Sequence, residues 1–142
     1  MAKVAVIGSG SWGTALAVLL GKKSLEVSLW GRRPQLAAAI EHDRENRQYL
    51  PGAKLPDSVA STADLAAALA DVDAVVLAVP STGVREIARS LRGMVTADTL
   101  LVHAGKGLES ETGLRGSQVI SEELGEQVGR RCVALSGPNL AV

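Results

Sequence analysis

The chain has 142 residues, and its fifteen basic and fifteen acidic side chains cancel to a formal net charge of zero. With no basic tract, no phenylalanine and one tyrosine, it is expected to partner neither nucleic acid nor an anionic membrane. No apolar stretch approaches the length of a membrane span, and a lone cysteine, Cys132, excludes an internal disulfide. Met-Ala-Lys runs straight into an apolar strand without the pattern of a secretory leader, so the expected location is cytoplasmic.

Strand and helix signals alternate from end to end. Val4–Ile7 is a continuous apolar run, as in a strand buried on both faces. It leads into Gly8-Ser9-Gly10-Ser11-Trp12-Gly13, a GxGxxG turn in its required setting between strand and helix. There the first glycine makes the turn, the second lets backbone approach a pyrophosphate, and the third lets helix and strand pack closely. A helix over Ser11–Leu20 is expected to stop at Gly21, with Lys22 and Lys23 beside its C-terminus. Glu26–Trp30 alternates as a second strand, and Pro34 suits the first turn of a helix carrying Leu36 and Ile40 on one face. Residues 46–57 read as irregular, punctuated by Pro51, Gly52 and Pro56. A short third strand around Val59 precedes Thr62, the expected N-cap of a helix through Leu65 and Leu69.

Asp73–Val79 reads as a central strand ended by Pro80, and Val84, Ile87 and Leu91 mark a helix finishing at Gly93. Thr99–His103 is a fifth strand, Gly116–Leu124 a helix, and Arg131–Leu135 a sixth strand. Strands linked by helical crossovers predict one α/β domain over residues 1–142, a doubly wound Rossmann-type parallel sheet in the order 3-2-1-4-5-6.

Ligands of such a sheet bind beyond the carboxyl ends of its strands, and the unusual residues fall there. They are the glycine loop, Trp30-Gly31-Arg32-Arg33, Val79-Pro80-Ser81, Gly105-Lys106-Gly107-Leu108-Glu109 and Ser136-Gly137-Pro138-Asn139. All five are expected to converge on one crevice that takes a dinucleotide. The pyrophosphate would sit on the helix N-terminus that follows Gly8, Gly10 and Gly13. Trp12 either contacts the dinucleotide or packs as an ordinary hydrophobe, and Pro80 either simply ends its strand or also borders the nicotinamide. The second strand lacks the acidic tip that holds a ribose 2′-hydroxyl in NAD-binding domains. Arg32 and Arg33 stand there instead, suited to a 2′-phosphate. The cofactor is therefore NADP(H) or NAD(H), with a lean toward NADP(H); two solvated arginines at a helix start are the alternative.

Lys106, between two glycines, either binds and polarises a substrate oxygen beside the nicotinamide or is an exposed loop lysine. The segment from Ser136 to Asn139 either holds an anion or hydroxyls through backbone N–H groups and the Asn139 amide, or is an ordinary turn. His103 reads as a core histidine with its hydrogen bonds satisfied, His42 as a solvated residue on a charged face, and Cys132 as a core strand residue. The two histidines and the cysteine are too scattered for a metal site.

Taken together, Gly8–Ala17, Leu29-Trp30-Gly31-Arg32, Asn46-Arg47-Gln48-Tyr49-Leu50-Pro51-Gly52, Ala78-Val79-Pro80-Ser81, Lys106-Gly107-Leu108-Glu109 and Leu135–Ala141 resemble the bacterial NAD(P)-dependent sn-glycerol-3-phosphate dehydrogenases. The glycine loop is shared by many dehydrogenases, whereas KGLE followed by SGPN is specific. The resemblance implies reversible reduction of dihydroxyacetone phosphate to sn-glycerol 3-phosphate for phospholipid synthesis. It assigns Ser11, Trp12, Arg32, Arg33, Tyr49 and Ala141 to cofactor contact, Lys106 to both cofactor and substrate, and Gly137 and Asn139 to substrate. Members of the family often carry Ser or Thr where this chain has Asn139.

The resemblance also implies a second, all-helical domain beyond these residues, supplying an acid–base lysine and most of the phosphate-binding groups. The expectation is thus a cofactor domain without that helical partner, which binds dinucleotide and turns over substrate negligibly. Apolar surface that would otherwise meet the helical domain favours self-association, and a homodimer is one expected form. Two other readings remain. One is a different two-domain dehydrogenase, of the 3-hydroxyacid dehydrogenase or ketopantoate reductase type, which shares the glycine loop but not KGLE with SGPN. The other is a free-standing dinucleotide-sensing module in which Lys106 is dispensable.

Overall fold

The computed structural model describes residues 2–137. Elements follow in the order β1 (Lys3–Ile7), α1 (Ser11–Lys22), β2 (Glu26–Trp30), α2 (Pro34–Asp43), β3 (Val59–Thr62), α3 (Leu65–Leu69) and β4 (Ala74–Leu77). A single 3-10 turn, Ser81–Gly83, leads into α4 (Val84–Ser90), then β5 (Leu100–His103), α5 (Gly116–Leu124), α6 (Glu126–Arg130) and β6 (Val133–Ala134). The strands form one parallel sheet in the order β3-β2-β1-β4-β5-β6, as the alternation of strand and helix signals predicts.

The register is what positions the site. Ile7 pairs with Trp30 on one side and Leu77 on the other, Trp30 with Thr62, Leu77 with His103, and His103 with Ala134. One row of residues therefore crosses all six strands at their carboxyl ends, and the connecting turns leave the sheet at the same level.

Alternation along the strands divides the core in two. Val4, Val6, Val27, Leu29 and Val76 face α1 and α2, packing with Leu16, Ala17 and Ile40. Ala5, Ile7, Val75, Leu77 and Leu101 face the opposite way and pack with Ala68, Val84, Leu91, Val119 and Ile120 from the helical connections. Each fully buried Val, Leu or Ile contributes about 1.5–3 kcal/mol relative to exposure, so either layer supplies far more than a single polar contact does.

Several boundaries differ from those expected, each for a local reason. Helix α1 runs through Gly21 to Lys22 and turns at Ser24, whose φ is 63°. Gly21 is a packing glycine, since a Cβ there would stand 2.5 Å from Val59 Cγ2. Thr62 does not cap α3. It ends β3, and Asp64 caps instead, its Oδ1 accepting from Ala67 N at 3.1 Å. Helix α4 stops at Ser90, leaving Leu91–Gly93 as a turn; β4 and β6 are shorter than the runs read from the sequence because pairing ends where the turns begin, and β5 starts at Leu100 rather than Thr99. The short helix α6 carries no amphipathic signal long enough to be seen in the sequence.

Candidate functional site

The carboxyl edge of the sheet opens into a cleft of about 1100 Å³. Its walls come from the glycine loop, the tip of β2, the turn after β4 with the start of α4, and the turn after β5. Gly8, Gly10, Ser11, Trp12, Arg32, Arg33, Tyr49, Pro80 and Lys106 all line it. Gly13 lies beneath the lining, buried in the first turn of α1. Gly137 does not line the cleft, and Asn139 and Ala141 fall outside the described residues.

Close backbone packing makes the glycine loop. Gly8 has φ 120°, and a Cβ on it would sit 2.4 Å from the Ala78 carbonyl oxygen. At Gly13 a Cβ would approach the Gly8 carbonyl oxygen to 1.8 Å, so a side chain here would push α1 off β1. Gly10 is the N-cap of α1 and offers no side-chain cap, and no acidic residue occupies the first turn. The start of this twelve-residue helix thus opens on the cleft with no acidic residue in its own first turn, a setting that favours an anion, while Glu86 of α4 lines the cleft as well. Trp12 ties this turn to the far side, its Nε1 donating to the Ala104 carbonyl at 3.0 Å.

At the tip of β2, Arg33 is the N-cap of α2 yet makes no capping hydrogen bond. Its guanidinium instead donates to Tyr49 Oη at 2.8 Å and lies 5.5 Å from the centre of the tyrosine ring. Arg32 lines the same end of the cleft. Lys106 lines the opposite end, with Pro80 and Gly105.

A charged network stands behind the Lys106 turn. Arg85 of α4 grips Glu109 through two hydrogen bonds of 2.8 Å and reaches Glu123 of α5 at 2.8 Å and Glu122 at 2.9 Å. Arg89 and Arg92 also pair with Glu123, which is buried. The Arg85 guanidinium, helped by the Thr112 hydroxyl, pulls the Glu109 carboxyl down to about 2, and Arg85 also holds Glu123 below the usual carboxylate range. Arg85 itself is held still more firmly protonated by the three glutamates. This network was not foreseen from sequence, where only the spacing of Arg85, Arg89 and Arg92 along one helical face hints at it.

His103 corrects another expectation. It is buried as predicted, but among the described residues its Nδ1 has no hydrogen-bond partner, and burial pushes the imidazole below its ordinary value. His42 is solvent-exposed and bonds Asp43 at 3.0 Å. Cys132 precedes β6 and is half-buried, its thiol pushed up by burial. Among the described residues no group of His, Cys, Asp or Glu is placed to hold a metal ion, and no helix is long and apolar enough to cross a membrane.

A sequence model of the family described as the N-terminus of NAD-dependent glycerol-3-phosphate dehydrogenase matches residues 3–142. The chain belongs to this family. A glycerol-3-phosphate dehydrogenase (NAD(P)+) of Syntrophomonas wolfei is 47% identical over 99% of this chain and 41% of its own length. That of Moorella thermoacetica is 49% identical over 97% of the chain and 40% of its own length. The crystal structure of glycerol-3-phosphate dehydrogenase from Coxiella burnetii superposes with a TM-score of 0.89 at 30% identity, over 99% of this chain and 42% of that one. The chain thus spans about two fifths of the length of the glycerol-3-phosphate dehydrogenases it matches.

Proposed function

We propose that the chain is the dinucleotide-binding part of an NAD(P)-dependent sn-glycerol-3-phosphate dehydrogenase, which reversibly reduces dihydroxyacetone phosphate to sn-glycerol 3-phosphate. The reading places it in the cytoplasm, supplying glycerophospholipid synthesis, and includes assembly as a homodimer. The carrying observation is one cleft that has an uncapped glycine-loop helix at its middle, a pair of arginines at one end and Lys106 at the other. Family membership favours this dehydrogenase over the ketopantoate reductase type and over a free-standing sensor.

The fit to a dinucleotide rests on space left by absent side chains. Gly8 and Gly13 let β1 and α1 close together, and the amides at Ser11 and Trp12 are available to a pyrophosphate. Arg32 and the Arg33–Tyr49 pair would hold the adenosine end, and Pro80 would border the nicotinamide. The bound nicotinamide would supply the hydride. Lys106 would hold the substrate's carbonyl oxygen and stabilise the negative charge that gathers on it. Gly137 and Asn139 would extend the substrate side, as the resemblance implies.

Trp12 and Trp30 both line the cleft, so either reports binding by fluorescence quenching. Titration with NADPH and NADH is expected to quench with both and to give the tighter constant for NADPH. Arg32→Ala should weaken NADPH by about tenfold or more, the scale of a charge-assisted hydrogen bond, and leave NADH nearly unchanged. Tighter binding of NADH, with no cost from Arg32→Ala, would overturn the NADP(H) preference; no quenching by either would overturn the dinucleotide reading.

A further inference from the structure

Asn46, in the connection between α2 and β3, is a fully buried amide whose hydrogen bonds reach the glycine loop at the middle of the cleft and Tyr49 at its arginine end. Its Nδ2 donates to the Ser9 carbonyl at 2.9 Å and to Thr14 Oγ1 at 2.8 Å, while its Oδ1 accepts from Tyr49 N at 3.2 Å. A carboxamide supplies two donors and an acceptor from one short side chain, and a carboxylate of the same shape supplies only acceptors.

The surrounding loop holds Asn46 from outside. Glu45 bridges Lys54 in antiparallel fashion and pairs with its ammonium at 2.8 Å. Arg44, at φ 54°, sends its guanidinium to the Pro56 and Val59 carbonyls, and Leu50 N returns to the Asn46 carbonyl at 2.8 Å. On one side, fixing the Ser9 carbonyl fixes the Ser9–Gly10 peptide plane, hence the Gly10 N–H at the start of α1. On the other, Tyr49 presents the hydroxyl and ring that hold Arg33.

We propose that Asn46 is a positioning residue that sets the glycine-loop peptide and the Tyr49–Arg33 pair in one geometry, coupling the grip on a pyrophosphate to the choice between a 2′-hydroxyl and a 2′-phosphate. The inference rests on the dinucleotide reading of the cleft. It makes the loop after α2 a part of cofactor selection, although Asn46 itself does not line the cleft.

Dissociation constants for NADPH and NADH, measured on the whole chain and its variants, separate the two arms. Asn46→Asp keeps the acceptor for Tyr49 N but turns a carboxylate oxygen toward the Ser9 carbonyl. It should weaken both cofactors alike, by about tenfold, the scale of a lost buried hydrogen bond. Asn46→Ala removes both arms and should also lower the preference for NADPH over NADH. Tyr49→Phe, at an exposed position, should lower that preference alone, and should lower it no further in the Asn46→Ala background. A folded Asn46→Ala chain with the wild-type preference, or a Tyr49→Phe effect that simply adds to it, overturns the proposal. Should Asn46→Ala fail to fold by circular dichroism, Asn46→Asp decides: wild-type affinities there overturn the proposal, and an equal loss for both cofactors supports it. A wild-type chain that binds neither cofactor overturns the dinucleotide reading itself, whereas one that binds both while the variants match it overturns only the role of Asn46.

Discussion

His103, at the end of β5, is a buried base whose Nδ1 finds no hydrogen-bond partner among the described residues. Its ring lies against the backbone of Gly105 and Gly116, between the Lys106 turn and the start of α5. Burial lowers its folded-state pKa below the ordinary value of about 6.5. Below that pH the unfolded chain takes up a proton that the folded chain refuses, so unfolding gains. Stability is therefore full above about pH 6.5 and falls as pH drops toward the folded pKa. Thermal unfolding followed from pH 8 to 5 should show a level Tm and then a decline, and His103→Leu should flatten that decline. An unchanged slope would mean that other groups carry it. The burial of His103 is legible from its place at the end of an apolar run, but its missing partner is not, because partners come from other strands. Thr62 and Asp64 make the same point: both suit an N-cap, and only the length of β3 decides which one serves. Asn46 lies in a stretch that reads as irregular, where polarity suggests solvent and the structure gives full burial.

Helices α4 and α5 and the turn after β5 are joined by charge rather than by apolar contact alone. Arg85 sits where all three meet, with Glu109 and Glu123 as partners. Both carboxyls are depressed in the folded state, Glu109 to about 2, so their contribution is present above about pH 4.5. It is lost as pH falls from there through the folded values. Arg85→Met leaves Glu123 buried with fewer partners and should lower Tm by several degrees at pH 7, which calorimetry would show. The same variant should lose less additional stability than wild type between pH 4.5 and 3; parallel acid limbs would argue against the network. Helix periodicity places Arg85, Arg89 and Arg92 on one face, which is legible. Glu109, 24 residues after Arg85, and Glu123, 38 residues after it, are joined to that face only by the fold.

Over the whole molecule, the two faces of the sheet are unequally covered. Leu100, Val102 and Val133 share a face by alternation and pairing with Val76, the face that α1 and α2 cover at the other end. Leu100 and Val133 remain 42% and 51% exposed, and Leu135 is 40% exposed. Such an apolar edge favours association. Sedimentation velocity over a wide concentration range should show self-association that Val133→Lys reduces; a strict monomer throughout would remove the homodimer from the proposed function. At this scale the sequence is most informative. Strand order, the crossovers and the gathering of turns at one edge follow from alternating apolar runs, because burial on both faces leaves a parallel sheet few other arrangements.

The row Thr62–Trp30–Ile7–Leu77–His103–Ala134 has a consequence beyond geometry. It is a frontier between two regimes of mutational tolerance. On the sheet side of the row a substitution is judged by how it packs; beyond it, by what the turn must hold. Rewriting the turns can thus change the chemistry offered at the edge while the frame beneath keeps its shape, which is how one sheet comes to serve many ligands.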